Sequence, residues 1–260
     1  MRDDCWVGKI VIQTGGLSPI ESFQVRMAAA DRCIPVKMCQ FQAGTEFTED
    51  GPFMPVGSVE FCRAAMWYQG IKEPEPLDYP ECIAHFAAAG HHLRTFADLP
   101  EGWTPEDHRV HAKPYHTKLD EALWAPETAF WIGNWHRFGP EYRVYIVNGE
   151  IVGCGRYDNT EDDVNDPLIL DMGRVKEMAD LYHGNGAPAG YGLDVGVSDE
   201  DGRTYLIEVN DGWALGFYRG SLQRGAYLDL LVARWEEIAR TKRNPVTGEA
   251  EKLVMKGEYC

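Results

Sequence analysis

The stretch YGLDVGVSDEDGRTYLIEVND, residues 191–211, decides the fold that the sequence predicts. Apolar and polar residues alternate on both sides of an acidic centre, a pattern typical of two strands joined by a tight turn. Gly202 ends that centre, and a three-residue loop with glycine in the left-handed conformation would place Asp199 opposite Arg203. The stretch is therefore predicted to form an antiparallel hairpin of defined register.

That register brings three oxygen-bearing side chains to one face of the hairpin. Counting back from the turn, Asp194 lies directly opposite Glu208, and Asn210 shares their face two residues further along. Two carboxylates that face each other repel unless a cation lies between them. Carboxylate and amide oxygens suit Mg²⁺ better than zinc or copper. The sequence therefore predicts a magnesium site here; in the alternative interpretation, one or both carboxylates simply point to solvent.

A second hairpin precedes the first, in EYRVYIVNGEIVGCGRY over residues 141–157. Its Asn-Gly pair at 148–149 is a strong signal for a two-residue turn. The register that follows places Arg156 opposite Glu141, so that Glu141, Arg143 and Arg156 are neighbours on a single face. If this hairpin stood alone, the three charges could equally be an exposed ion pair on a solvated sheet, which would contribute under about 1 kcal/mol.

Composition and charge restrict the class of protein. The chain has 260 residues, a hydrophobic content of 44% and a formal net charge of −16, and its composition is that of a globular protein. Such acidity, without a stripe of Lys and Arg, argues against a nucleic-acid partner. The seven cysteines are scattered without a CxxC pair, the N-terminus lacks an apolar signal core, and no run is long enough to span a membrane. We therefore expect a soluble, cytoplasmic protein.

The N-terminal part has a different pattern from the two hairpins. Residues 9–41 are typical of a strand, a helix that begins near Ser18, and a second strand, so this opening is parallel α/β in character. The pattern changes near residues 90–105. We expect an N-terminal α/β lobe followed by α+β lobes and a peripheral tail, at residues 1–104, 105–240 and 241–260.

Basic, aromatic and histidine residues occupy the segment between the N-terminal lobe and the hairpins. Lys113 ends a short strand, VHAKP, Lys118 follows in a polar loop, and TAFWIGNW at residues 128–135 is an aromatic strand. Histidines also occur here, at His91, His92, His108, His111 and His116. Because no carboxylate or thiol falls at a convincing ligand spacing, a zinc site is not favoured.

Taken in chain order, these parts resemble the ATP-grasp superfamily, and more closely its small phage- and bacteria-associated members, which are predicted peptide or amino-acid ligases. The resemblance covers about residues 105–240. It is carried by KPYHTK (113–118), by EYRVYIVNGEIVG (141–153) and by LDVG and YLIEVND (193–196 and 205–211). The resemblance implies two α+β lobes that grip ATP, preceded by a smaller α/β lobe.

The resemblance also implies roles for individual residues. Asp194, Glu208 and Asn210 match the Mg²⁺ ligands, with Glu208 bridging two ions. Arg143 matches the arginine that holds phosphate or acyl-phosphate, with Arg156 supporting it. The implied nucleotide contacts are Lys113, Lys118, Trp131, Ile132, Gly133 and Glu141. The sequence departs from the family pattern in two ways: no glycine-rich loop follows Lys113, and the hinge is rich in tryptophan.

The implied function is an ATP- and Mg²⁺-dependent ligase that joins a carboxylate to an amine, of a small molecule or peptide, through an acyl-phosphate. Mg²⁺, lysine and arginine stabilise the charge that develops on transferring phosphate oxygens, and no serine or cysteine nucleophile is required. Two alternatives stay open. One is an ATP-grasp module that binds nucleotide without turnover; the other is a metal-dependent nuclease, against which the asparagine in place of a catalytic lysine and the acidic charge both count.

Overall fold

The computed structural model describes residues 8–15, 18–42, 47–49, 51–88, 90–104, 110–115, 125–157, 169–218, 221–222, 225–243 and 250–252. The helices are α1 (Pro19–Asp31), α2 (Val59–Tyr68), α3 (Met172–Gly184) and α4 (Ala226–Ala239). The strands are β1 (Ile10–Gln13), β2 (Val36–Cys39), β3 (Met54–Val56), β4 (His92–Thr95), β5 (Val110–Pro114), β6 (Ala129–Asn134), β7 (Phe138–Val147), β8 (Glu150–Arg156), β9 (Gly190–Ser198), β10 (Thr204–Asp211), β11 (Thr241–Arg243) and β12 (Ala250–Lys252). None of the described helices is long and apolar enough to cross a membrane.

A parallel sheet in the order β2-β1-β3 forms the N-terminal part of the fold. Its central strand is an apolar run that is almost completely buried. α1 begins after Ser18, whose hydroxyl accepts a hydrogen bond from the Glu21 N–H while the Glu21 carboxylate accepts one from the Ser18 N–H. This reciprocal cap satisfies two of the free donors at the start of the helix. The strand–helix–strand opening that the sequence predicts is confirmed.

α4 packs against α1 and against strands β7 and β9. Its buried residues Tyr227, Leu231 and Trp235 belong to one apolar core with Ile10 and Ile12 of β1. The spacing of these apolar positions along α4 is that of one helical face, as the sequence indicates. α4 therefore connects the apolar core around β1 with the antiparallel strands β7 and β9.

A second sheet, antiparallel and in the order β4-β6-β5, carries the strand that ends near Lys113. β4 lies before residue 104 in the chain and pairs along its length with β6, which lies after it. The predicted division at residue 104 would thus separate two strands of one sheet. The three-part division of the chain stays a prediction.

The largest sheet is antiparallel, in the order β10-β9-β7-β8, and contains both hairpins. One of its faces packs on α3, where Val175 and Met178 meet Ile146, Leu193 and other apolar residues of the sheet. Its other face carries the polar side chains described below. Among the described residues, a parallel sheet covered by helices and three antiparallel sheets, the smallest of them β11 with β12, together confirm the predicted mixed α/β and α+β class.

Candidate functional site

The hairpin of β9 and β10 places Asp194 directly opposite Glu208, as predicted. The turn itself differs from the expectation, because the Ser198 N–H donates to the Arg203 carbonyl at 2.9 Å, so that Ser198 and not Asp199 faces Arg203. A β-bulge between Leu206 and Glu208 then moves the pairing by one residue. The bulge thereby restores the predicted register where the polar residues lie.

Asn210 brings the two carboxylates into one cluster. Its amide Nδ2 donates to Asp194 Oδ2 at 3.0 Å and to Glu208 Oε1 at 2.9 Å. Asp194 is buried, and Glu208 and Asn210 are partly exposed. The three predicted metal ligands therefore converge on the same face of the sheet.

The positive charge that such a carboxylate pair requires comes from two basic side chains. Arg143 on β7 lies opposite Asp194 on the neighbouring strand and grips it with two hydrogen bonds, Nε to Oδ1 at 2.7 Å and Nη2 to Oδ2 at 2.6 Å. Lys113 reaches over from β5 and donates to Glu208 Oε2 at 2.5 Å. The arginine pair lies within one sheet, whereas the lysine bridge joins two sheets.

Burial and charge act differently on the two carboxylates. Burial raises the pKa of Asp194 to about 6, although the hydrogen bonds from Arg143 oppose this shift. Burial would also raise the pKa of Glu208, but Lys113 and the Asn210 amide outweigh it, so that pKa lies below its ordinary value. Glu208 is therefore ionised at neutral pH and able to bind a cation.

Lys113 is held by a second carboxylate, Asp78, which the sequence analysis did not single out. Lys113 Nζ donates to Asp78 Oδ1 at 2.6 Å, and the Trp131 indole Nε1 donates to Asp78 Oδ2 at 2.9 Å. Asp78 is only 3% exposed. Its carbonyl accepts the Val209 N–H at 2.8 Å, so the segment before it is attached to the edge of β10. The only signal in the sequence is an aspartate in a proline-rich connection, which marks a turn and no chemistry.

The aromatic strand β6 places its predicted nucleotide contacts on different faces. Trp131 lies opposite Lys113, and Gly133 lies opposite His111, so both are on the face that looks toward Glu208. Ile132 lies between them and projects to the other face, since side chains alternate along a strand. Lys118 lies outside the described residues.

The hairpin of β7 and β8 corrects one prediction. Val147 pairs with Glu150 at the Asn-Gly turn as expected, but a bulge near Tyr145 shifts the pairing beyond it, and Arg156 lies opposite Tyr142 instead of Glu141. Arg156 therefore projects to the face opposite that of Glu141 and Arg143. The predicted shared face of the three residues is wrong for Arg156, because one extra residue in a strand inverts every position after it.

Two tyrosines pack around Arg143. The rings of Tyr157 and Tyr218 are stacked with centroids 5.3 Å apart, and the Arg143 guanidinium lies 5.2 Å from the Tyr218 ring. Glu141, on the same strand as Arg143, forms a side-chain hydrogen bond with Tyr157. The tyrosines and Asp194 together fix the orientation of the guanidinium.

A cavity of about 340 Å³ opens beside the cluster. Arg143, Glu208 and Asn210 line one side, and the proline-rich segment 73–78 and Arg63 of α2 line the other. A second cavity, of about 230 Å³, borders the same short segment Trp213–Leu215 and extends toward Glu21 of α1. The polar cluster therefore faces space large enough for a small substrate.

The donor set fits Mg²⁺ by its chemistry. Among the residues that the structure describes, no three or more His, Cys, Asp or Glu side chains form a group that could hold a metal ion. The predicted ligands are instead two carboxylates and one amide, an all-oxygen set of the kind that a hard cation prefers. A bound Mg²⁺ would take over the charge balance that Arg143 and Lys113 now provide.

His91 and His111 form a separate, half-buried contact, whereas His108 and His116 lie outside the described residues. His91 Nε2 and His111 Nδ1 are 2.6 Å apart, and the Tyr79 hydroxyl lies 3.3 Å from His91 Nε2. Burial lowers the pKa of His91 to about 3, with the neighbouring His111 contributing, so the ring is neutral. Two imidazole nitrogens in direct hydrogen-bonding contact leave no room for a metal ion between them.

Comparison with known proteins identifies the fold as that of the ATP-grasp enzymes. The family model described as "ATP-grasp domain, R2K clade family 3" matches residues 18–238. The chain therefore belongs to this family, and the resemblance to the ATP-grasp superfamily is confirmed. No curated protein matches the sequence.

Solved structures share the fold at low sequence identity. The chain is similar to the ATP-grasp ligase PsnB complexed with a minimal precursor, at 11% identity and a TM-score of 0.50, covering 88% of this chain and 99% of that one. It is also similar to a D-alanine–D-alanine ligase from Bacillus anthracis, at 12% identity and a TM-score of 0.50, covering 89% and 98%. It is similar as well to a RimK domain ATP-grasp protein from Sphaerobacter thermophilus, at 12% identity and a TM-score of 0.50, covering 86% of this chain and 98% of that one.

Proposed function

We propose that the protein is an ATP- and Mg²⁺-dependent ligase that joins a carboxylate to an amine through an acyl-phosphate. One observation carries the proposal: two carboxylates and an amide converge on one sheet face, and the carboxylates are bound directly by a lysine and an arginine. Membership of the ATP-grasp family supports ATP as the bound nucleotide. The solved structures with a similar fold include proteins named as ligases, which supports the reaction class.

In this proposal the acidic cluster and the basic side chains exchange partners when substrate binds. Asp194, Glu208 and Asn210 would hold Mg²⁺, which supplies charge neutralisation at the phosphate oxygens of ATP. Lys113, released from Glu208 but still bound to Asp78, would then contact the phosphates together with Arg143. Trp131 and Gly133 lie on the same side as Lys113 and are proposed to border the nucleotide.

The chemistry requires two displacements at a protected site. A substrate carboxylate oxygen attacks the γ-phosphorus of ATP and ADP leaves, which gives an acyl-phosphate. An amine nitrogen then attacks the acyl carbon, phosphate leaves and the amine loses a proton. Arg143 is placed to stabilise the negative charge in both steps, because it lies on the cavity beside Glu208 and Asn210.

The space next to Gly216 supports an amino acid or peptide end as substrate. A side chain begun at Gly216 would lie 3.7 Å from Arg143 Nη1 and 3.7 Å from Glu21 Oε1. Arg143 binds Asp194 through Nε and Nη2, which directs Nη1 to this space. Glu21 is buried and held by the Phe217 N–H at 2.8 Å. Gly216 and Glu21 line the second cavity, and a cation and an anion near one point of its wall would suit the carboxylate and ammonium of an α-amino acid.

The test is phosphate release from Mg-ATP in the presence of panels of amino acids, polyamines and peptides, with products identified by mass spectrometry. We expect phosphate release only when one carboxylate substrate and one amine substrate are both present. The mass of the product should equal the summed masses of the two substrates minus one water. Glu208→Gln is the matched inactive control. Absence of release with every panel, from protein that binds Mg-ATP, would contradict the ligase.

That last outcome would favour the second candidate, a module that binds nucleotide without turnover. The observation behind it is that both cations proposed to contact phosphate are already neutralised by carboxylates. Binding of a non-hydrolysable ATP analogue, with no product in any panel, distinguishes the module from the ligase.

A further inference from the structure

Asp78 connects three parts of the fold at one point. Its carboxylate binds Lys113 of β5 and Trp131 of β6, and its backbone carbonyl binds the Val209 N–H of β10. Its φ of 38° lies in the left-handed region, where aspartate is tolerated better than most residues. A buried charge in an uncommon backbone conformation needs several contacts to hold it, and Asp78 has them.

The two carboxylates that share Lys113 are not equivalent. Glu208 lies on the sheet face with Asp194 and Asn210 and belongs to the proposed metal site. Asp78 lies across from them, and its second oxygen is occupied by the Trp131 indole at 2.9 Å. When metal engages Glu208, Lys113 keeps one carboxylate partner, which is the one anchored to both sheets.

We infer that Asp78 is the residue that positions Lys113, retaining its ammonium group in the cleft when Glu208 turns to the metal. This inference rests on the proposed function. Without Asp78, the largely buried lysine would have Glu208 as its remaining carboxylate partner among the described residues, and lysine and Mg²⁺ would compete for it. Asp78 therefore keeps Lys113, which would contact phosphate, away from Glu208, which would bind the metal.

The first test needs no nucleotide. The rate at which acetic anhydride modifies Lys113 is measured by mass spectrometry in the wild type, Glu208→Gln, Asp78→Asn and the double variant, each checked for folding by circular dichroism. Since a charge-assisted hydrogen bond protects the amine, we expect Glu208→Gln to stay protected and the double variant to react about tenfold faster than Glu208→Gln. Equal rates in Glu208→Gln and the double variant would overturn the inference, whatever the protein does with ATP.

The second test asks whether metal and lysine compete for Glu208. Mg²⁺ is titrated into the protein with a fixed concentration of a non-hydrolysable ATP analogue, and bound analogue is measured. We expect Asp78→Asn to need about tenfold more Mg²⁺ for half-maximal binding, the loss of one charge-assisted contact, and Asp78→Glu to recover part of the difference.

Tyr79→Phe is the matched control, because it removes a hydroxyl from the neighbouring residue and keeps the ring that lies 5.3 Å from Lys113 Nζ. Its Mg²⁺ requirement should equal that of the wild type. An unchanged Mg²⁺ requirement in folded Asp78→Asn would contradict the inference. If no variant binds the analogue, the proposed function fails, and the acetylation rates still decide whether Asp78 holds Lys113.

Discussion

Arg143 and Lys113 neutralise the same acidic cluster in two different ways. Arg143 forms a one-to-one, bidentate pair with Asp194 on the neighbouring strand, buried inside one sheet. Lys113 is shared by two carboxylates, Asp78 and Glu208, and joins two sheets. The first arrangement belongs to the framework of the sheet, whereas the second can lose one partner and keep the other. The difference indicates which contact can respond to a ligand.

The largest expected effect is on folding, from breaking the arginine pair. Arg143→Met leaves Asp194 as a buried carboxylate without its bidentate partner, which should reduce the free energy of unfolding by about 3–5 kcal/mol. Lys113→Met should cost less, because Glu208 is more exposed and keeps the Asn210 amide, and the buried Asp78 keeps the Trp131 indole N–H. Urea denaturation of both variants measures the difference. If Lys113→Met lost as much free energy of unfolding as Arg143→Met, or more, the Lys113 contacts and not the Arg143–Asp194 pair would be the structural framework.

Glu208→Gln should chiefly affect catalysis. The substitution keeps the shape of the side chain and removes the charge that metal requires, so we expect ATP turnover to fall by roughly 10²–10³-fold. The unfolding midpoint should change little. Steady-state phosphate release, with circular dichroism as the folding control, checks the prediction; retained turnover would remove Glu208 from the metal site.

Gly216→Ala should weaken substrate binding on the arginine side without disturbing the fold. The added methyl group would lie 3.7 Å from its nearest neighbours, which is ordinary contact. It fills the space between Arg143 and Glu21, so we expect KM for the amino-acid or peptide substrate to rise about tenfold, near the cost of a displaced charge-assisted contact. Gly196→Ala, whose methyl group would clash with the Phe138 ring at 2.6 Å, is the contrasting variant that should lose stability instead. An unchanged KM in Gly216→Ala would place the substrate elsewhere.

The smallest expected effect is on the pH dependence of stability, through His91, which contacts His111 on the same strand as Lys113. The pKa of His91 is lowered to about 3 in the fold, so the unfolded chain binds a proton below about pH 6.5 that the folded protein does not. The contribution of His91 to stability should therefore be present above the unfolded pKa and fall as the pH drops, by roughly 0.7 kcal/mol between pH 7 and pH 6. His91→Phe, which keeps the ring stacked on Tyr79, should flatten the curve from urea titrations at each pH. A curve of unchanged slope would show that other groups cause the loss.

The sequence predicts contacts well where they are local. Asp194, Glu208 and Asn210 lie within one hairpin, and turn chemistry with strand alternation is enough to bring them together. Bulges limit this reasoning, since turn residues define the register only as far as the first extra residue. In the hairpin of β9 and β10, a bulge gives Glu208 the predicted partner, Asp194, although the turn differs from the prediction. In the hairpin of β7 and β8, a bulge places Arg156 on the face opposite to the predicted one.

Contacts between distant segments were beyond prediction. The pairing of Arg143 with Asp194 depends on β7 lying beside β9, and the two strands are separated by α3 in the chain. Asp78 acquires its role because a proline-rich connection crosses the edge of β10 and meets β5. Neither placement has a periodic or turn signal, because both follow from tertiary packing.

Nucleotide binding is the most direct test of the central claim, that the acidic cluster and Lys113 form an Mg-ATP site. Thermal unfolding is measured with Mg²⁺ alone, with a non-hydrolysable ATP analogue alone and with both together. At about 100 times its dissociation constant, the analogue with Mg²⁺ should stabilise the wild type by roughly 2.7 kcal/mol, and much less in Glu208→Gln. No shift with both ligands present, or an equal shift in Glu208→Gln, would contradict the claim.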